Sequence, residues 1–138
     1  MKKSILFIFP ALLFISCISK NPEKENVNKH TPNPNLISFK LSYDVSKEEL
    51  AKITSLKSSD FNTATDTIHY RENEIYISYV RGLVGCVEYA GDFEIKNDSL
   101  LLKVVSLNNQ ACPEMETARV TYRIKNPENT KYIIRKEW

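Results

Sequence analysis

Histidine, glycine and tryptophan are scarce in this chain of 138 residues: there are two, three and one of them. Three glycines support neither a collagen-like repeat nor a glycine-rich chain, and no phosphate loop, G-x-S-x-G turn or zinc-protease helix occurs. An excess of one charge is also missing. Lys and Arg number 19 against 17 Asp and Glu, and removing Lys2 and Lys3 with the targeting segment leaves 17 against 17. A neutral chain gains little by releasing counterions, so no nucleic-acid partner is expected. A long hydrophobic run is absent too. Residues 5–15 are apolar but span only 11 positions and contain Pro10, whereas a membrane-spanning helix needs about 20 residues.

What the N-terminus does hold is a basic head, Lys2 and Lys3, followed by that apolar run and then Ser16 and Cys17. Basic head, short apolar core and small residue make a signal peptide. The Ser16-Cys17 junction resembles the bacterial lipobox. There the thiol carries diacylglycerol, and the cysteine becomes the new N-terminus after cleavage. This resemblance implies a lipoprotein signal peptide over residues 1–16, with Cys17 as the lipidation site and palmitate among its acyl chains. The expected location is the bacterial cell envelope, on the outer membrane, with the membrane itself as first partner. Ordinary cleavage without lipid is the alternative. Residues 17–35 read as the lipidated cysteine and a disordered tether, polar and broken by Pro22, Pro32 and Pro34. Such a segment cannot bury enough surface to offset its ordering entropy. It reaches roughly 20–25 Å as a flexible chain. His30 reads as a solvated tether residue.

Residues 36–138 read as one globular domain. Phe39, Leu41 and Tyr43 alternate with polar residues, which predicts a strand. Ser46 and Glu49 form a capping box, S-x-x-E, and Leu50, Ile53 and Leu56 fall on one helical face. Residues 58–63 read as a loop. Period-two alternation then predicts strands around Ile75–Tyr79, Phe93–Ile95, Leu100–Val105, Val120–Ile124 and Tyr132–Lys136. Turns are expected at Asn97-Asp98 and at Asn126-Pro127-Glu128-Asn129. The fold class is α+β, mainly β: a curled antiparallel sheet with one packed helix.

With Cys17 assigned to lipid, Cys86 and Cys112 remain. An even pair in an exported domain favours a disulfide between them. Two buried free thiols are the alternative, and a catalytic thiol is a remoter one, because His69 is the only other histidine and nothing sets it beside either cysteine. The stretch Gly85-Cys86-Val87-Glu88-Tyr89-Ala90-Gly91-Asp92-Phe93-Glu94-Ile95, followed by Ala111-Cys112-Pro113-Glu114-Met115-Glu116, resembles the META domain of heat-shock-inducible envelope lipoproteins. The likeness covers residues 85–116. Val87 stands where asparagine is usual, Asn108-Asn109-Gln110 replaces a Thr-x-x element, and residues 117–124 read as a strand rather than a helix. This resemblance implies a small β-rich envelope domain linked to stress tolerance, without an established catalytic site.

No metal or cofactor is expected. One histidine and two distant cysteines make no zinc set, and Asp92 or Asp98 alone make no calcium loop. Glu88, beside a cysteine, is a candidate pocket carboxylate whose ordinary reading is an exposed-face residue. Tyr70, Tyr76, Tyr79, Tyr89, Tyr122 and Tyr132 could offer a binding face for sugars or proteins, or pack as core. Asp66-Thr67-Ile68 and Asp98-Ser99-Leu100 resemble an O-glycosylation acceptor in some bacterial envelopes, which would place glycans on Thr67 or Ser99. The functional expectation is a non-enzymatic lipoprotein, a binding or stress-related module with an envelope protein or glycan as partner. A small-ligand-binding or inhibitor β-domain is the second expectation, and a hydrolase of unrecognised type the third.

Overall fold

Alternating apolar residues bury one face of a strand, and here they do so on two sheets rather than one. The computed structural model describes residues 30–55, 66–110 and 112–137. The predicted signal peptide, Cys17, the tether up to residue 29, Leu56 and the predicted loop 58–63 lie outside the described residues. Among those described, seven strands and one helix follow one another: β1 (Leu36–Ser42), α1 (Lys47–Ser55), β2 (Thr67–Arg71), β3 (Glu74–Val84), β4 (Tyr89–Lys96), β5 (Ser99–Ser106), β6 (Met115–Lys125) and β7 (Ile133–Lys136). The first sheet has order β1-β6-β3-β2 and is antiparallel throughout. The second has order β4-β5-β7, with β4 and β5 antiparallel and β5 and β7 parallel. The domain is therefore mainly β with a single short helix. The single antiparallel sheet expected from the sequence is corrected to two sheets, one of them mixed.

The parallel pair arises at the second predicted turn. Asn126 is 3% exposed, and its side chain both accepts from the Thr130 N–H (3.1 Å) and donates to the Thr130 carbonyl (3.0 Å). This satisfied amide holds the chain in a turn with Asn129 in the left-handed region (φ 51°). β7 then joins β5 in the other sheet instead of returning along β6. The two-residue links Glu72-Asn73 and Asn97-Asp98 use the same device, with Asn73 and Asn97 at positive φ. Asparagine tolerates that conformation better than most residues.

The two sheets face each other across Ile75, Ile77, Tyr79, Val120, Tyr122 and Ile124 from the first, and Phe93, Leu100 and Leu102 from the second. Each fully buried aliphatic side chain of this size contributes about 1.5–3 kcal/mol. Tyr79 and Tyr122 belong to this core rather than to a binding face. Burial pushes both phenols up, so both stay neutral in any ordinary buffer. The Tyr122 hydroxyl donates to the Lys103 carbonyl across the sheets at 2.6 Å. At one margin Gly91 of β4 is buried against the ring of Phe39 of β1. At the other, the Tyr70 hydroxyl bonds Tyr132 (both contacts 3.1 Å) and Lys136 pairs with Asp66 at 2.5 Å. Both margins are thus bridged by side chains, and the sheets do not close into one barrel.

The capping box forms as read: the Ser46 N–H donates to Glu49 Oε2 and the Glu49 N–H to Ser46 Oγ, both at 3.3 Å. Glu49 Oε1 also receives Arg119 of β6, which ties α1 to the outer face of the first sheet. Leu50 and Ile53 are half-buried and stand outside the central cluster, so the helix does not contribute to the core. The last residues of the expected tether are ordered. The Asn33 N–H donates to Asp92 Oδ1 at 2.9 Å, and His30, read as solvated, lies 3.8 Å from Asp92 with a side chain only 15% exposed.

On the outer face of the first sheet, Arg123 donates to both oxygens of Glu74 at 3.0 and 2.6 Å. This guanidinium holds the Glu74 carboxyl below the usual glutamate range. A carboxyl depressed in the folded state adds stability above its unfolded pKa, and that stability is lost as pH falls through the lower folded value. Glu74→Gln should therefore flatten the decline of melting temperature between roughly pH 5 and 3. Thermal melts of both proteins across that window check it, and identical acid limbs would contradict it. The effect is small, because surface pairs are screened.

Candidate functional site

The sequence singled out Cys86 and Cys112, and the structure joins them. Their Cα atoms lie 5.5 Å apart in a disulfide that spans 26 positions of sequence. Both free-thiol alternatives fall away with it. The bridge closes the base of the β4–β5 hairpin and knits the segments on either side. The Gly85 N–H donates to the Glu114 carbonyl at 2.8 Å, and the Cys112 N–H to the Gly85 carbonyl at 3.0 Å. A side chain at position 85 would place its Cβ 3.2 Å from that Glu114 carbonyl oxygen, so this backbone would have to give by a few tenths of an ångström. Cys86 itself takes a left-handed backbone, φ 62°.

Beside the disulfide lies an open groove of about 310 Å³, lined by Val84, Val87, Tyr89, Ser106, Asn108, Asn109 and Gln110. Its two hydroxyls are already engaged. The Tyr89 hydroxyl accepts from the Val84 N–H (3.0 Å) and donates to the Val84 carbonyl (2.9 Å). Ser106 Oγ donates to the Asn108 carbonyl at 2.6 Å. The Asn108 carboxamide oxygen accepts from the Glu88 N–H at 3.2 Å, and the Leu107 N–H donates to the Glu88 carbonyl at 2.8 Å. What the groove offers a ligand is the apolar surface of two valines and a tyrosine together with a run of carboxamide residues. Among the described residues that line it there is no acid–base pair and no activated nucleophile.

Glu88 is exposed and lines no part of the groove. His69 stands on β2 with its ring 6.0 Å from that of Tyr76. Tyr70, Tyr76, Tyr89 and Tyr132 are half-buried and do not gather on one face. Thr67 and Ser99 are half-buried strand residues, and Ser99 Oγ donates to Asp98 and accepts from Arg135. Among the described residues no three His, Cys, Asp or Glu side chains come together as a metal site would require, and no helix is long and apolar enough to cross a membrane. The sequence reading missed the groove. Its one signal was three consecutive carboxamides, Asn108-Asn109-Gln110, inside a disulfide loop. No protein-family model, curated protein or solved structure matches this chain.

Proposed function

We propose that this protein is an envelope lipoprotein whose β domain binds a partner without transforming it. Residues 1–16 direct export, Cys17 carries the acyl chains, and the residues after it hold the domain off the surface of a bacterial outer membrane. The observation that carries the binding reading is the groove: its hydroxyls are spent on the fold, and its remaining polar groups are neutral amides. The Cys86–Cys112 bridge supports the export reading, because structural disulfides persist in oxidising compartments. The resemblance of residues 85–116 to the META domain adds a link to envelope stress. A groove of this size also favours the second reading, a site for a small ligand.

Cell fractionation and intact mass test the anchor. The full chain, expressed in a bacterial host, is expected in the membrane fraction as a species that starts at Cys17 and carries added acyl mass. Cys17→Ala should move it to the soluble or signal-peptide-retaining pool with no lipid mass. A wild-type product cut elsewhere and free of lipid would overturn the proposal.

A further inference from the structure

We infer that the groove beside the disulfide is a subsite for a neutral, N-acetylated sugar ring. This rests on the binding-module reading and names its ligand.

The charge at this end sets the first limit. Residues 84–90 and 106–116 contain three charged side chains, Glu88, Glu114 and Glu116, and no lysine or arginine. All three are exposed acids, and none lines the groove. From these segments and the lining, phosphorylated or carboxylated ligands would meet only like charge and no cation to pair with. A cationic ligand would find no carboxylate inside. A neutral ligand remains.

The second limit is the pattern of donors and acceptors. The Asn108 oxygen is occupied by Glu88, but its amide N–H pair is not. Asn109 and Gln110 are exposed, and their side-chain amides make no hydrogen bond among the described residues. Each carboxamide offers a donor and an acceptor side by side, which fits vicinal hydroxyls and an acetamido group. In the same lining, Val84, Val87 and Tyr89 offer apolar contact for the C–H face of a pyranose and for an acetyl methyl. The volume of about 310 Å³ is at the small end of ligand pockets and suits one ring with its substituents.

An extended peptide fits less well. Peptides that add to a sheet need unpaired backbone groups along an edge. Along the groove, the Gly85 N–H and carbonyl, Cys112 N–H, Leu107 N–H and both backbone groups of Glu88 are already used on one another, on Glu114 or on Asn108.

The test uses the full, mature, ¹⁵N-labelled protein in a sugar-free detergent. Four probes are titrated to tens of millimolar: N-acetylglucosamine, glucose, glucuronic acid and trialanine. N-acetylglucosamine is expected to shift the amides of Val87, Tyr89, Asn108, Asn109 and Gln110. Glucose, lacking the acetamido group, should bind about tenfold more weakly, as loss of one good hydrogen-bonded contact implies. Glucuronic acid and trialanine should leave these amides still. The exposed pair Asn109→Ala and Gln110→Ala should weaken N-acetylglucosamine at least about fivefold with melting temperature unchanged. No shift with N-acetylglucosamine, equal shifts with glucose, or preference for trialanine would each overturn the sugar assignment. Preference for trialanine would leave the binding-module reading standing, and silence from all four probes would remove the groove as its support. The anchor stands or falls separately on the mass measurement.

Discussion

Reduction of the Cys86–Cys112 bridge should cost the domain about 3.5 kcal/mol, the chain-entropy value for a loop of this length. The bridge acts mainly on the unfolded chain. Once cut, the whole β4–β5 hairpin is released from its base, and the unfolded ensemble regains the freedom that the closed loop denied it. For a domain of about this size, a loss of that order lowers the melting temperature by roughly 15–25 °C. The double variant Cys86→Ser, Cys112→Ser should match the reduced protein. Cys86→Gly, Cys112→Ser should be more stable than that serine pair by about 1 kcal/mol, because glycine adopts the left-handed backbone of position 86 without steric cost. Calorimetry with and without reductant decides the first point. A shift of only a few degrees would mean that the reduced, unfolded chain stays compact. The glycine–serine comparison separates backbone strain from the cross-link.

Gly91→Ala is expected to be nearly as damaging, although it adds a single methyl group. The new Cβ would overlap Cγ and Cδ2 of the Phe39 ring, with the Phe39 Cβ 2.7 Å away. Phe39 cannot yield easily. It stands edge-on to Tyr122 at a centroid distance of 5.2 Å, and Tyr122 is fixed by its bond to Lys103. Overpacking of a core usually costs about 1–3 kcal/mol, and the contact here is with ring and Cβ alike, so the upper end applies. Replacing glycine by alanine would by itself favour the folded state by about 0.4–1 kcal/mol through the unfolded chain, which the clash outweighs. The decisive measurement is a double-mutant cycle. Phe39→Leu alone should destabilise, but Gly91→Ala with Phe39→Leu should be better than the sum of the two by at least about 1 kcal/mol. Strict additivity would mean that the sheets part at this margin rather than clash.

Much of the fold was legible in the sequence. Ile75, Ile77 and Tyr79, or Val120, Tyr122 and Ile124, could only be strands with one buried face, and the capping box at Ser46 placed the start of α1 correctly. The partition into two sheets was not legible. Leu100 and Leu102 face the core from the opposite side to Ile75 and Ile77, yet both pairs present the same alternation. Asn126 to Asn129 announced a turn, but not that the buried amide of Asn126 would direct the chain into the other sheet. Tyr70 read as a strand residue, but β2 could not be bounded because, as an edge strand with Ile68 38% exposed and His69 exposed, it buries too little to show a pattern. The disulfide followed from counting cysteines. The groove did not, because an uncharged carboxamide run has no periodicity and belongs to no named chemical motif.

The route of β7 bears on when the molecule can become folded at all. A parallel partner for β5 cannot form from a hairpin. It must wait until β6 has crossed the other sheet and the chain has returned, so the second sheet gains its third strand from residues some 34 positions further along (Ser99 against Ile133). The Tyr70–Tyr132 and Asp66–Lys136 bridges wait for the same arrival. Contacts this distant in sequence close late and slow the search for the native state. On the ribosome these contacts cannot form until residues 132–136 have emerged. If the chain is exported unfolded as proposed, that built-in delay would keep it threadable until it reached a compartment where its cysteines can pair.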